Sequence, residues 1–129
     1  MSVVFLSLAE VLEIHQDQIV RYGGQPGTRD LNLLESALAV PSASFGGNFL
    51  HGEIFEMAAA YLFHLVKNHP FIDGNKRVGT MAAYTFLALN GYELDVSSEV
   101  LFDFVTALAA GERRKADAAL FFREHTRQT

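Results

Sequence analysis

His69-Pro70-Phe71-Ile72-Asp73-Gly74-Asn75-Lys76-Arg77 lies near the middle of a 129-residue chain, between two strongly apolar segments. Within nine residues it gathers an imidazole, a carboxylate, a glycine, an amide and two adjacent cations. Proline disfavours the α region for the residue before it, so the preceding helix should end at or before His69. The residues after the motif, from Val78 to Leu89, read as a buried helix. The motif is therefore a loop that ends on a helix N-terminus, where unpaired N–H groups and the positive end of the helix dipole favour anions, phosphate above all. Gly74 lets backbone approach a ligand without a Cβ in the way. Lys76 and Arg77 add positive charge, and a guanidinium can grip two phosphate oxygens at once. Asp73 is a hard oxygen ligand suited to the Mg²⁺ that accompanies nucleotide phosphates. Imidazole titrates near neutral pH, which makes His69 the candidate base. Taken alone, the same run also reads as an ordinary solvated turn before a helix. Its position argues for more, because both flanking segments are apolar almost all round.

Working outward, Glu53 to Asn68 reads as a helix. Ile54, Phe55, Met57, Ala58, Tyr61, Leu62, Phe63, Leu65 and Val66 cover most of its circumference, against a narrow polar stripe of Glu53, Glu56, His64 and Lys67. A helix this apolar is normally central. Asn75 to Asn90, closed by Gly91, is its partner. Val78, Met81, Ala82, Thr85, Phe86 and Leu89 form one face, with Leu87 elsewhere, and Gly79 would allow close helix packing. Gly74 to Thr80 has the outline of a P-loop but lacks the lysine before Thr80 and follows a helix, so that reading fails. His64 and His69 are five apart, the wrong spacing for an i, i+4 zinc pair. Phe71 anchors the loop in the core, and Ile72 is expected to do the same.

Upstream, Ser7-Leu8-Ala9-Glu10 has capping-box spacing, so a helix starts at Leu8. Leu8, Val11, Leu12, His15, Ile19 and Tyr22 share a stripe, and Gly23-Gly24 ends the helix. His15 reads as a hydrogen-bonded core histidine. Asp30 caps a short helix from Leu31 to Val40, and Arg29-Asp30 reads as a turn with a local ion pair. Pro41 to Gly52 is too irregular for a helix, and its phenylalanines suit a loop tucked on the core. His51 has no evident partner. Downstream, Tyr92 to Val96 is an extended link. Ser98 caps a helix from Glu99 to Ala110, with Leu101, Phe104, Val105 and Leu108 as its buried row. Gly111 breaks it. Glu112 to Arg127 is a last helix anchored by Leu120 and Phe122, with Arg113-Arg114-Lys115 as a solvated face.

Half of the residues are apolar, with eleven phenylalanines, no tryptophan and no cysteine. One domain over residues 1–129, with a real core, is expected at this size. Without cysteine there is no disulfide framework and no thiolate metal site. The formal net charge of −5 disfavours a nucleic-acid-binding module. Met1 to Leu8 is short and lacks a basic flank, so no signal peptide is expected, and no apolar run is long enough for a membrane span. A cytoplasmic protein is the expectation.

The motif resembles that of the Fic/Doc superfamily, His-x-Phe-x-Asp/Glu-Gly-Asn-Gly-Arg-x-x-Arg. His69, Phe71, Asp73, Gly74, Asn75 and Arg77 match. Lys76 replaces the second glycine and Thr80 the final arginine. Lysine before arginine is similar to the death-on-curing (Doc) branch, the toxins of toxin–antitoxin pairs. The likeness extends to Tyr22-Gly23-Gly24-Gln25-Pro26-Gly27-Thr28-Arg29-Asp30 and to Leu34-Glu35-Ser36-Ala37-Leu38, and so covers most of the chain. The resemblance implies an all-α, Fic-like helical bundle around two central helices, with Pro41 to Gly52 as a small flap that lines up a target segment by strand-like pairing. It carries over His69 as the catalytic base, Asp73 as the holder of Mg²⁺, and Phe71, Gly74, Asn75, Lys76 and Arg77 as nucleotide-site residues, with ATP as the nucleotide.

Family members with the full motif transfer AMP. Those with lysine here resemble kinases that bind the nucleotide reversed and pass on the γ-phosphate, with elongation factor Tu as the target class. Gly74 departs the other way, because the Doc branch often has alanine there. The resemblance thus implies phosphorylation of a protein hydroxyl, with AMP transfer as the alternative. A catalytically silent phosphate-binding module is a further alternative, against which the intact His69 and Asp73 argue. Self-restraining members carry a Ser/Thr-x-x-x-Glu-Gly/Asn helix. No glutamate in this sequence is followed by Gly or Asn, which implies inhibition in trans by a Phd-like antitoxin.

Overall fold

The computed structural model describes residues 2–129; Met1, the first residue of the apolar opening stretch, lies outside the described residues. In chain order the elements are α1 (Leu8–Tyr22), α2 (Leu31–Ala39), β1 (Ser44–Phe45), β2 (Asn48–Phe49), α3 (Ile54–Asn68), α4 (Asn75–Leu89), β3 (Tyr92–Leu94), α5 (Ser98–Ala109), α6 (Lys115–His125) and β4 (Thr126–Gln128). The fold is all-α and Fic-like, with two small antiparallel ribbons, β1–β2 and β3–β4. No helix is long and apolar enough to cross a membrane.

The centre is the pair α3 and α4. Met57 to Leu62, Leu65 and Val66 of α3 are all buried, so the helix is surrounded by neighbours, chiefly α4, α6 and α2. Gly79 sets the closeness of the central pair. A Cβ there would lie 3.1 Å from Val66 Cγ2 and 3.3 Å from the Leu62 carbonyl oxygen. The buried stripe of α4 is Asn75, Val78, Gly79, Ala82, Ala83, Phe86 and Leu87. It is rotated from the expected face: Leu87 is inside, and Leu89 is exposed. The small residues Gly79 and Ala83 take the inner side, a choice that hydrophobicity alone does not register.

The caps hold as expected at α1 and α2. Ser7 and Glu10 exchange side-chain bonds with each other's backbone N–H at 2.9 and 3.2 Å, and Asp30 accepts from Leu33 N at 3.0 Å. The α1 stripe is narrower than expected. Val11, His15, Gln18 and Ile19 are buried, while Leu12 and Tyr22 are exposed. At α5 the cap is Ser97, one residue earlier than expected.

The C-terminal region departs further. The last helix stops at His125, and Thr126–Gln128 pairs with Tyr92–Leu94, giving the extended link a hydrogen-bonding partner. Arg127 also pairs with Glu93 at 3.2 Å. On α6 the anchors are Ala118, Ala119, Phe121 and Phe122. Leu120 is exposed, because two residues from both Ala118 and Phe122 means about 200° round the helix. Ile72 is exposed as well, resting beside Gly27 instead of entering the core. In the β1–β2 ribbon Phe45 stands in solvent, and Phe49 meets Phe5 edge-on at 5.6 Å.

Candidate active site

The loop between α3 and α4 is built from its backbone outward. α3 ends on His69, which takes a left-handed conformation (φ 50°, ψ 52°). It is the one non-glycine residue with positive φ among the described residues. Holding a residue with a Cβ there costs on the order of 1–3 kcal/mol and needs support from its surroundings. Phe71 supplies an anchor. It is fully buried and stacks on His15 with ring centroids 3.8 Å apart and planes 8° from parallel. His15 Nε2–H donates to the Asp73 carbonyl oxygen at 2.8 Å. The expected core histidine is thus a strut under the loop.

Asn75 ties the loop shut. Its side-chain oxygen accepts from Phe71 N at 2.9 Å, and its Nδ2 donates to Phe71 O at 3.0 Å. These two bonds fix which way round the amide sits. The same Nδ2 then faces His69 Nδ1 at 3.1 Å. Asn75 is buried, and His69 is exposed on the cleft.

Asp73 is held at both oxygens. Gln25 N donates to Oδ2 at 3.1 Å and Gly74 N to Oδ1 at 2.8 Å. These bonds from Gln25 and Gly74, with Arg77 and His15 nearby, keep its carboxyl below the usual carboxylate range. Gly24 makes the approach possible. A Cβ there, at φ 118°, would sit 2.7 Å from Asp73 Oδ2. Gly74 caps α4 in the left-handed region (φ 78°), and a Cβ there would meet Ile19, Arg77 and His15 at ordinary contact distances. The demand for glycine at this cap is therefore conformational.

α4 begins with no side-chain cap, which leaves its first N–H groups to the cleft. Arg77 donates to the Gln18 and Gly23 carbonyl oxygens at 3.4 and 3.0 Å, which fastens it to the end of α1. Lys76 is exposed. A cleft of about 740 Å³ opens here. His69, Asp73, Gly74, Asn75, Lys76, Arg77 and Thr80 line one side, and Val66, Leu101, Phe102, Val105 and Thr106 line the apolar other. Phe71 does not line it; its contribution is the anchor.

The residues expected from the motif, Phe71 apart, lie together on one wall of the cleft, while other parts of its surroundings were not expected. Arg29 does not pair with Asp30. It donates from Nε to His69 O at 2.7 Å and from Nη2 to Asn68 O at 3.0 Å. The hold of Gln25 on Asp73 and the α5 wall are also tertiary and leave no local signal.

Away from the cleft, Lys115 is no solvated cation. Its Nζ donates to His51 Nε2 at 3.2 Å and His64 Nε2 at 3.0 Å, so His51 does have a partner. Burial and the neighbouring Lys115 and His51 push His64 down to about 4.

The donor set suits a nucleotide with Mg²⁺. Among the described residues no three His, Cys, Asp or Glu side chains converge on a metal position. One ionised carboxylate beside an anion site fits Mg²⁺, which takes few protein ligands and completes its shell with phosphate oxygens and water.

Residues 5–87 match the family model for the Fic/DOC family. Over 81 residues the chain is 40% identical to a protein of Mycolicibacterium smegmatis named Toxin Doc, covering 63% of this chain and 62% of that relative. Over 107 residues it is 34% identical to the Protein kinase doc of Escherichia phage P1, covering 83% of each chain.

Proposed function

Because the chain belongs to the Fic/DOC family, we propose that it is the toxin of a toxin–antitoxin pair and an ATP-dependent protein phosphotransferase. One observation carries this reading: His69, an ionised Asp73 and the open N-terminus of α4 share a single cleft. The names of the two relatives, a toxin and a protein kinase, agree with it.

Phosphoryl transfer needs positioning and charge stabilisation more than covalent work by the protein. The free N–H groups of α4, with Lys76 and Arg77, hold phosphate oxygens and offset developing negative charge. Asp73 would hold Mg²⁺, which would neutralise charge on the phosphates. A target Ser, Thr or Tyr oxygen attacks the γ-phosphorus. The bond to the bridging oxygen breaks, ADP leaves, and His69 takes the hydroxyl proton. Asn75 leaves the proton of the neutral ring on Nε2 and the lone pair on Nδ1, so Nδ1 takes the hydroxyl proton once the ring turns away from Asn75 and presents Nδ1 to the cleft.

We place the protein in the cytoplasm, with a protein such as elongation factor Tu as target and a Phd-like antitoxin as its restraint. AMP transfer is the second reading, favoured by Gly74, the residue that AMP-transferring relatives of this motif carry. The test is a clarified bacterial lysate treated with the protein and ATP, followed by mass spectrometry. A gain of one phosphate on a target supports the kinase reading, a gain of one AMP supports the second, and neither gain refutes both.

A further inference from the structure

The left-handed backbone at His69 needs a holder, and the segment 27–30 provides one. Five hydrogen bonds join it to the backbone of 68–72. Arg29 N and Asp30 N donate to Pro70 O at 2.7 and 3.0 Å, and Ile72 N donates to Gly27 O at 3.1 Å. Arg29 Nε and Nη2 donate to His69 O and Asn68 O at 2.7 and 3.0 Å. Three of the five atoms that the segment uses are backbone, and the other two belong to the guanidinium, which alone reaches the two carbonyls that end α3. Those carbonyls carry the negative end of the helix dipole, so a cation there is favoured.

We propose that Arg29 is a positioning residue for His69. Its guanidinium fixes the carbonyl of His69 and that of the residue before it, and so sets the backbone angle that presents the imidazole to the cleft. The side chain of Arg29 is exposed and fills no core volume. The anchoring of the loop itself belongs to the buried Phe71 and Asn75. Losing the guanidinium should therefore turn the ring without melting the fold. Arg29 makes no hydrogen bond to Lys76, Arg77 or the first N–H groups of α4, so nucleotide binding should survive. As a statement about rate, the inference rests on the proposed phosphotransfer; as a statement about the ring, it does not.

The test compares full-length wild type, Arg29→Ala and Arg29→Lys by three readouts. These are the ring resonances of His69 in histidine-labelled protein, the affinity for Mg²⁺–ATP, and transfer of label from [γ-³²P]ATP to lysate protein. In Arg29→Ala the His69 resonances should move and transfer should slow by about tenfold or more, as expected when a reacting group is misplaced by a fraction of an ångström. ATP affinity should stay within about twofold. Arg29→Lys, able to reach one carbonyl, should fall between. Unchanged His69 resonances in folded Arg29→Ala overturn the inference, as does a loss of ATP affinity equal to the loss of rate. Should Arg29→Ala not fold, Arg29→Lys decides, and unchanged His69 resonances there overturn it. Wild type that transfers no label while the resonances still move in the variants refutes the phosphotransfer reading and leaves the positioning role standing.

Discussion

Asn75 Nδ2 faces His69 Nδ1 at 3.1 Å while the rest of the Asn75 amide is committed to the backbone of Phe71. Flipping the amide would set an oxygen against Phe71 O and an NH₂ against Phe71 N–H, so its orientation is determined. An Nδ2–H on Nδ1 leaves the proton of the neutral imidazole on Nε2. ¹⁵N-detected spectra of the free protein at pH above 8 should show His69 as the Nε2–H tautomer. An Nδ1–H ring would refute this. Asn75→Ala should release the tautomer and also strip the buried Phe71 groups of partners. Each such group costs about 1–3 kcal/mol, so denaturant unfolding should show a loss of roughly that size or more.

His69 separates stability from activity. Its φ of 50° is one that glycine adopts freely and residues with a Cβ do not. His69→Ala should abolish transfer and growth arrest with a melting temperature near wild type. His69→Gly should be equally inactive yet more stable than His69→Ala, by about 1 kcal/mol. Equal stability of the two variants would show that the left-handed backbone is not held at a cost. A toxic His69→Ala would remove His69 from the chemistry.

These two residues also show what a sequence discloses. Pro70 after His69 announces the helix exit, and Ser7, Asp30 and Gly23 announce caps, because each acts on backbone within a few residues of itself. The apolar density of Glu53–Asn68 announces the central helix for the same reason. Arg29 sits 40 residues from the carbonyl it serves and beside an aspartate that looks like its partner. Gln25 reaches Asp73 through 48 residues, and only its backbone N–H is used, so the side chain carries no signal. The rotation of α6 that exposes Leu120 follows from packing on α3, and Leu and Phe there are equally apolar on paper. The site was legible where charge and local backbone chemistry coincide. Its supports were not, because they come from elsewhere in the chain.

His64 links stability to pH. Burial, Lys115 and His51 lower it to about 4. Around it stand Lys115 on α6 and His51 before α3, with Glu56 opposing the effect at His51. The unfolded chain binds a proton near pH 6.5 and the folded chain does not, so the contribution is present above that pH and is lost as pH falls toward 4. The shift is worth at most about 3 kcal/mol, and nearer 1–2 after solvent screening of a part-exposed group. Denaturant unfolding from pH 7 to pH 4 should lose stability by about that amount in wild type and by less in His64→Gln. Parallel pH profiles for the two proteins would place the acid sensitivity elsewhere.

Lys76 should decide which phosphorus is attacked. It is exposed in the first turn of α4, beside the uncapped N–H groups, and the comparable position in AMP-transferring relatives of this motif is glycine. A lysine side chain occupies space next to those N–H groups and places a cation there, which suits a nucleotide seated with its terminal phosphate toward His69. Lys76→Gly removes both the bulk and the charge and opens that space to an α-phosphate. The helix itself should tolerate the change, at a cost of about 1 kcal/mol for glycine in a helical position. Transfer from ATP labelled at the α-phosphorus should rise above wild type, and transfer from the γ-labelled nucleotide should fall. Lys76→Met separates the two contributions, since it keeps most of the bulk and loses the charge. If bulk sets the orientation, Lys76→Met gains no α-label and Lys76→Gly does. If charge sets it, both variants gain. Absence of any α-label gain in Lys76→Gly, in protein that still binds ATP, would mean that the orientation of the nucleotide is set by another residue of the cleft.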